Sequence, residues 1–114
     1  MILDLTKARI FIQPGYTDMR KAINGLSLHV QSEMKRSPLD GNLYVFCGRS
    51  RRSVKIVYWN RNGFCLWQKR LEDDKFHWPK TSAEAREINH EELRWFLLGL
   101  NFHGVHKEKN FSVI

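Results

Sequence analysis

The stretch SVKIVYWNRNGFCLWQKRLE, residues 53–72, gives the clearest indication of the fold. Its two halves are rich in β-branched and aromatic residues, and NRNG joins them. Asn62 and Gly63 supply the positive φ angles that a tight hairpin turn requires. The stretch therefore predicts a hairpin of two antiparallel strands over residues 53–71.

The two faces of this hairpin follow from its register, because side chains alternate along a strand. With a two- or four-residue loop, an apolar face that should pack on helices carries Val54, Ile56, Tyr58, Cys65, Trp67 and Leu71. The other face mixes cations with flat aromatic rings and carries Lys55, Val57, Trp59, Arg61, Phe64, Leu66, Gln68 and Arg70. A three-residue turn with a bulge at Gly63 would instead exchange the faces of the second strand. The register therefore decides whether a mixed surface exists.

Further elements lie on both sides of the hairpin. ARIFIQPG and NLYVFC predict strands, and KFHWP predicts a short strand or extended edge. Apolar residues at helical spacing between 19 and 34 predict a helix with Thr17 or Asp18 as N-cap, although Asn24 and Gly25 favour a later start or a bend. Asn89 and Glu92 form a capping box before HEELRWFLLGL. Trp67 and Trp95 are expected in the core.

These elements predict an α+β fold, with a small antiparallel sheet centred on the 53–71 hairpin and packed against two or three helices. The chain has 114 residues, of which 42% are hydrophobic and 27% charged, which suits one globular domain. We expect that domain over residues 1–103, followed by a C-terminal tail over 104–114. No apolar run approaches the length of a membrane span, and we expect a cytoplasmic protein with no membrane contact.

Motifs for catalysis or metal binding are weak in this sequence. Cys47 and Cys65 lie far apart and predict two reduced thiols rather than a disulfide or metal ligands. There is no Gly-rich phosphate loop and no nucleophile elbow, and the acidic run at 72–74 is typical of a turn. We expect no catalytic residue, no metal and no cofactor.

Positive charge is concentrated in one part of the chain. Nineteen Lys and Arg stand against twelve Asp and Glu, a formal net charge of +7, and residues 49–70 contain seven of the bases and no acid. Such a window favours a polyanionic partner, with cations on phosphates and aromatic rings stacking on exposed bases. The predicted DNA-binding residues are Arg49, Arg51, Arg52, Lys55, Trp59, Arg61, Phe64, Lys69 and Arg70.

Four ordered motifs resemble one protein family: GYTDMRKAINGL (15–26), VYWNRNGFCLWQKRLE (57–72), FHWP (76–79) and LLGL (97–100). They are similar to the TnpB-type proteins encoded by the second open reading frame of bacterial insertion sequences of the sixty-six family. The resemblance implies an accessory factor of transposition without an active site of its own, encoded beside a separate transposase. Its expected partners are DNA, such as the element ends, and the transposase or other proteins of the element.

An adaptor for the transposase is the alternative to a DNA-binding module. In that hypothesis Trp59 and Arg61 form a hot spot for the transposase, and contact with DNA is incidental. The sequence does not predict the oligomeric state.

Overall fold

Five strands and two helices make up residues 6–80 and 85–99, the parts of the chain that the computed structural model describes. In chain order they are β1 (Ile10–Ile12), α1 (Ile23–Ser32), β2 (Leu43–Cys47), β3 (Ser53–Asn60), β4 (Gly63–Arg70), β5 (Arg86–Ile88) and α2 (His90–Leu97). The strands form one sheet in the order β4-β3-β2-β1-β5. The predicted α+β class is confirmed. The predicted tail lies outside the described residues.

The β3–β4 hairpin has the two-residue loop on which the predicted faces depend. Trp59 pairs with Phe64 and Asn60 with Gly63, so the loop consists of Arg61 and Asn62. The expectation that Asn62 and Gly63 supply the positive φ angles was wrong, because Arg61 takes that conformation at φ 59°. The Asn62 N–H donates to the carbonyl of Asn60 at 2.6 Å and closes the turn around Arg61.

One strand pair departs from the antiparallel sheet that the sequence predicts. β1 pairs with β2 in parallel, with Ile10 opposite Leu43 and Ile12 opposite Val45. Parallel neighbours need a long connection, which residues 13–42 supply through α1. The remaining pairs are antiparallel, so the sheet is mixed.

Both faces of the sheet are covered. All five residues of β2 are buried, as expected for a strand with packing on each side. On one face Ile10, Val45 and Ile56 join a core cluster with Phe76, Trp78 and residues of α2. On the other face Phe11, Tyr44 and Val57 form a second cluster with Leu26 and Val30 of α1. The face predicted to be apolar therefore packs on α2, and the face predicted to be a surface packs on α1.

Each helix begins for a different reason. α2 opens with the predicted capping box, in which Asn89 and Glu92 exchange backbone and side-chain hydrogen bonds. α1 begins at Ile23, without a side-chain cap at Ala22. The expected N-caps Thr17 and Asp18 lie before it, and the Thr17 N–H donates to the Cys47 carbonyl at 2.8 Å. Residues 15–22 are therefore not helical and follow the end of the sheet.

Gly48 directly follows β2, and glycine is required there because a side chain would not fit, not because of the backbone conformation. Its φ lies outside the positive region, but a Cβ built on it would lie 2.5 Å from Cγ of Met19. We expect Gly48→Ala to lower the free energy of unfolding by about 1–3 kcal/mol, because the segment around Met19 must move away. Urea denaturation measures this change.

Gly63→Ala is the matched control, since nothing lies within 4 Å of a Cβ at Gly63. Its stability should stay within about 0.5 kcal/mol of wild type. Equal destabilisation by the two substitutions would contradict the close packing of Gly48 on Met19.

Candidate functional site

A cleft of about 410 Å³ opens at one end of the sheet, and we call it the end cleft. Because β1 and β2 are parallel, their carboxyl ends meet there, and the segments that follow them form the two walls. One wall carries Tyr16, Asp18 and Met19, and the other carries Gly48 and Arg49 together with Ser50 and Ser53. Thr17 joins the walls through its bond to the Cys47 carbonyl.

Asp18 is the acidic group of the end cleft, and Arg20 neutralises it. Nε and Nη2 of Arg20 donate to its carboxylate at distances from 2.7 to 3.1 Å. Hydrogen bonding from the Arg20 side chain lowers the pKa of Asp18 to about 2. The carboxylate is therefore ionised at neutral pH, while the Arg20 side chain remains 91% exposed.

Lys55 does not lie on a free surface, contrary to the prediction. Only 7% of the residue is exposed, and its Nζ donates to the carbonyls of Met19 at 2.7 Å and Lys21 at 2.9 Å. The ammonium thus ties the wall that contains Met19 to the middle of the sheet. We assign Lys55 a structural role, which the charge pattern did not indicate because its acceptors are backbone atoms.

Three more of the predicted cations have intramolecular partners. Arg52 donates from Nη1 to the Glu72 carbonyl at 3.0 Å, and Arg70 forms an ion pair with the Glu72 side chain at 3.3 Å. Lys69 donates from Nζ to the Leu97 carbonyl at 2.7 Å, which attaches β4 to the end of α2. Each of these cations therefore has a partner within the protein, although the Arg70 side chain remains 67% exposed.

Arg49, Arg51 and Arg61 are different. Their guanidinium groups form no hydrogen bond or ion pair with another residue in the described ranges 6–80 and 85–99. Arg49 and Arg61 are exposed and Arg51 is half-buried. Arg49 lines the end cleft and Arg51 follows it two residues later, whereas Arg61 lies beyond the other end of β3, an eight-residue strand that spans roughly 25 Å.

Two of these arginines have a backbone conformation that favours glycine. Arg51 has φ 61° and Arg61 has φ 59°. Arg51 follows a turn closed by its own N–H on the Gly48 carbonyl at 2.9 Å, and Arg61 occupies the β3–β4 loop. The left-handed conformation costs an ordinary residue roughly 1–2 kcal/mol. An arginine with a strained backbone therefore lies near each end of β3, and the guanidinium group of each has no partner among the residues that the structure describes.

The aromatic residues are arranged differently from the prediction. Trp59 and Phe64 meet edge to face at 5.1 Å between ring centroids, and Phe64 packs against the α1-side cluster. Trp67, expected in the core, is 40% exposed on the edge strand β4, and Trp95 is half-buried. Tyr16 is 38% exposed at the end cleft. Sequence reasoning missed Tyr16, although its position after Pro14 and Gly15 indicated a loop at a strand end.

Neither cysteine has the surroundings of a reactive or ligating thiol. Cys47 is buried, which raises its pKa to about 12, and Cys65 is half-buried. Within residues 6–80 and 85–99, no three His, Cys, Asp or Glu side chains converge as a metal site would require. No helix in these ranges has the length and apolar character to span a membrane.

Comparison with known proteins identifies one family model that matches this chain and two proteins that are similar to it. The family model described as IS66 Orf2-like protein matches residues 8–107. The uncharacterized protein y4hO of Sinorhizobium fredii is 40% identical over 94 residues, which cover 82% of each chain. The uncharacterized protein y4jC of the same organism is 30% identical over 94 residues, covering 82% of this chain and 80% of its own. No solved structure matches significantly.

The bonds of Lys55 generate a stability prediction. Lys55→Met keeps a long side chain but removes the donor from two carbonyl groups. We expect the free energy of unfolding to fall by about 1–3 kcal/mol, the cost of leaving buried polar groups unsatisfied. Chemical denaturation measures it.

Lys75→Met provides the control, because Lys75 is exposed and the substitution is the same. It should change stability by less than about 0.5 kcal/mol. A Lys55→Met protein as stable as this control would show that the ammonium is not structural.

Proposed function

The chain belongs to the family of IS66 Orf2-like proteins, and from that premise we propose that it binds DNA as a non-catalytic accessory protein of transposition. Membership of the family indicates an accessory role in transposition and no known catalytic activity. The DNA contact rests on one observation: three of the predicted cations, Arg49, Arg51 and Arg61, have guanidinium groups with no hydrogen-bond or ion-pair partner among residues 6–80 and 85–99. Phosphates are their natural ligands, since a guanidinium donates two parallel hydrogen bonds to phosphate oxygens.

The positions of these arginines suggest how a duplex lies on the protein. Arg49 lines the end cleft, Arg51 lies two residues further along the chain, and Arg61 lies in the hairpin loop at the opposite end of β3. A duplex that reaches both ends spans roughly 25 Å, or about seven base pairs. Phosphate contacts of this kind position a protein without reading base sequence.

Four of the predicted cations contribute less to the proposed DNA-binding surface than the sequence suggests: Lys55, Lys69, Arg52 and Arg70. Each donates to a partner within the protein, and for Lys55 the group is also buried. The proposed contact set is therefore Arg49, Arg51 and Arg61. Trp59 and Phe64 pack on each other and are assigned no stacking role.

A contact with the transposase is the second candidate, and the edge strand β4 favours it. β4 is eight residues long, has one neighbouring strand among the described residues, and carries the exposed Trp67. An open edge with an exposed aromatic ring suits the addition of a strand from another protein. Such an interface depends weakly on salt, whereas phosphate contacts depend on it strongly.

The salt dependence of DNA binding tests the arginine surface. We expect wild-type protein to bind element-end and random duplexes with affinity that falls steeply with salt. Replacing Arg49 and Arg51 together by Gln should reduce the slope of log K against log salt by up to roughly 2, one unit per lost phosphate contact. Fluorescence anisotropy over a salt series gives the slope.

Arg9→Gln is the control for the removal of a cation that is already paired within the protein. Arg9 is already paired with Glu87 at 2.8 Å, close to the opposite end of the sheet from Arg49. Its loss should leave the slope unchanged. An unchanged slope in the double variant as well, with the protein folded, would reject the DNA surface and favour the transposase contact.

Strain at Arg61 allows charge and fold to be tested separately. Arg61→Gly and Arg61→Gln remove the same cation, but only glycine relieves the positive φ. We expect both variants to lose similar DNA affinity, with the glycine variant about 0.5–1 kcal/mol more stable than the glutamine variant. Thermal unfolding and anisotropy measure the two quantities. Wild-type affinity in both variants would exclude Arg61 from the contact.

A further inference from the structure

The end cleft combines an aromatic ring, a free cation, hydroxyl groups and a carboxylate, and the duplex contact proposed above uses only its rim. We propose that the end cleft binds one unpaired nucleotide of single-stranded DNA, with Tyr16 stacking on the base and Arg49 binding the phosphate. The inference rests on the proposed DNA binding and deepens it. It names single-stranded DNA as the form that the cleft recognises.

Tyr16 is presented for stacking by a fixed backbone. On one side of it the Gly15 N–H donates to the Pro79 carbonyl at 2.8 Å, and on the other the Thr17 N–H donates to the Cys47 carbonyl at 2.8 Å. The ring between these anchors is 38% exposed. An exposed ring on a rigid backbone loses little freedom when a base stacks on it, and every base has a face that can stack.

The opposite wall supplies the groups that a phosphate needs. Arg49 is exposed and has no intramolecular partner within the described residues. The Ser50 oxygen accepts from the Arg52 N–H at 3.3 Å, which leaves its own O–H available to donate. Ser53 adds a second hydroxyl to the cleft. A guanidinium group and two hydroxyls are the side-chain donors that commonly bind phosphate oxygens.

Asp18 distinguishes a nucleotide from a phosphate alone. Its carboxylate is ionised and accepts from the Arg20 side chain, so it has no hydrogen-bond donor to offer a phosphate. The same carboxylate can accept a hydrogen bond from the exocyclic amino group of a base. The base therefore belongs on the wall of Tyr16 and Asp18, and the phosphate on the wall of Arg49.

The end cleft suits one nucleotide and not a base that remains within a duplex. About 410 Å³ lies within the range of small-molecule sites and accommodates one nucleotide. A base in a duplex is stacked on both faces and cannot present its face to Tyr16 unless it leaves the helix. The ligand is accordingly an unpaired nucleotide within a single strand.

The test compares Tyr16→Leu with Tyr16→Phe, using a single-stranded oligonucleotide that carries 2-aminopurine and a duplex of the same sequence. Leucine removes the stacking ring and phenylalanine keeps it. We expect Tyr16→Leu to lose roughly 5- to 150-fold in affinity for the single strand, the range found for base–aromatic stacking. Tyr16→Phe should bind as wild type, and duplex affinity should change in neither variant.

Fluorescence of 2-aminopurine reports stacking independently of electrostatic binding, because stacking quenches it. Quenching by wild type and Tyr16→Phe but not by Tyr16→Leu supports the inference. Unchanged single-strand affinity and quenching in folded Tyr16→Leu, with normal duplex binding, overturns it and leaves the proposed function in place. Failure of wild type to bind either form of DNA overturns both. Circular dichroism confirms folding, and Tyr16 is exposed enough for both variants to fold.

Discussion

Parallel strands cannot be joined by a tight turn, so the pairing of β1 with β2 forces residues 13–42 to cross one face of the sheet. This crossing places α1 over Tyr44 and Val57, which buries the second face of β2 and β3. It also brings the chain segments after the two strands to the same end, where they enclose the end cleft. The Lys55 ammonium fixes the crossing segment by binding the Met19 and Lys21 carbonyls. One pairing thus determines both the core and the site.

Much of the fold could be predicted because it depends on local patterns. The hairpin, its alternating faces and the capping box at Asn89 follow from neighbouring residues, and the structure confirms them. The covering of each face could not be predicted, since periodicity shows which side chains share a face and not what packs on it. Trp67 illustrates the same limit: its strand pattern suits a core, but β4 is an edge strand and leaves the ring 40% exposed. The β1–β2 pairing is a contact between distant residues, with no local pattern of its own.

The site was harder to predict, because the sequence shows which residues are cations but not which hydrogen-bond acceptors those cations contact. Residues 49–70 do hold seven cations, but Arg52, Lys55 and Lys69 donate to backbone carbonyls. Every residue has a carbonyl group, so the sequence gives no sign of which ones will accept. Counting the cations of a segment without acids therefore overestimates how much of its charge is free at the surface. An ion pair such as Arg70 with Glu72 is easier to predict, because the opposite charges lie close together in the sequence. The free guanidinium groups become visible only after the internal bonds are known.

Strain gives independent weight to the arginines that remain. Lys35 also has a positive φ, at 58°, but it lies just beyond the C-cap of α1, where a 3.1 Å bond from the Arg36 N–H to the Val30 carbonyl closes the helix end. That conformation is common in helix termination, and a cation there also interacts favourably with the helix dipole. Arg51 and Arg61 lie in tight turns that backbone hydrogen bonds close, and glycine is the residue that such turns favour. Strained residues of this kind are held in place by the surrounding structure, and they cluster at functional sites. At both ends of β3 that side chain is a cation with no intramolecular partner among the described residues, which is the state expected of a group that binds a ligand.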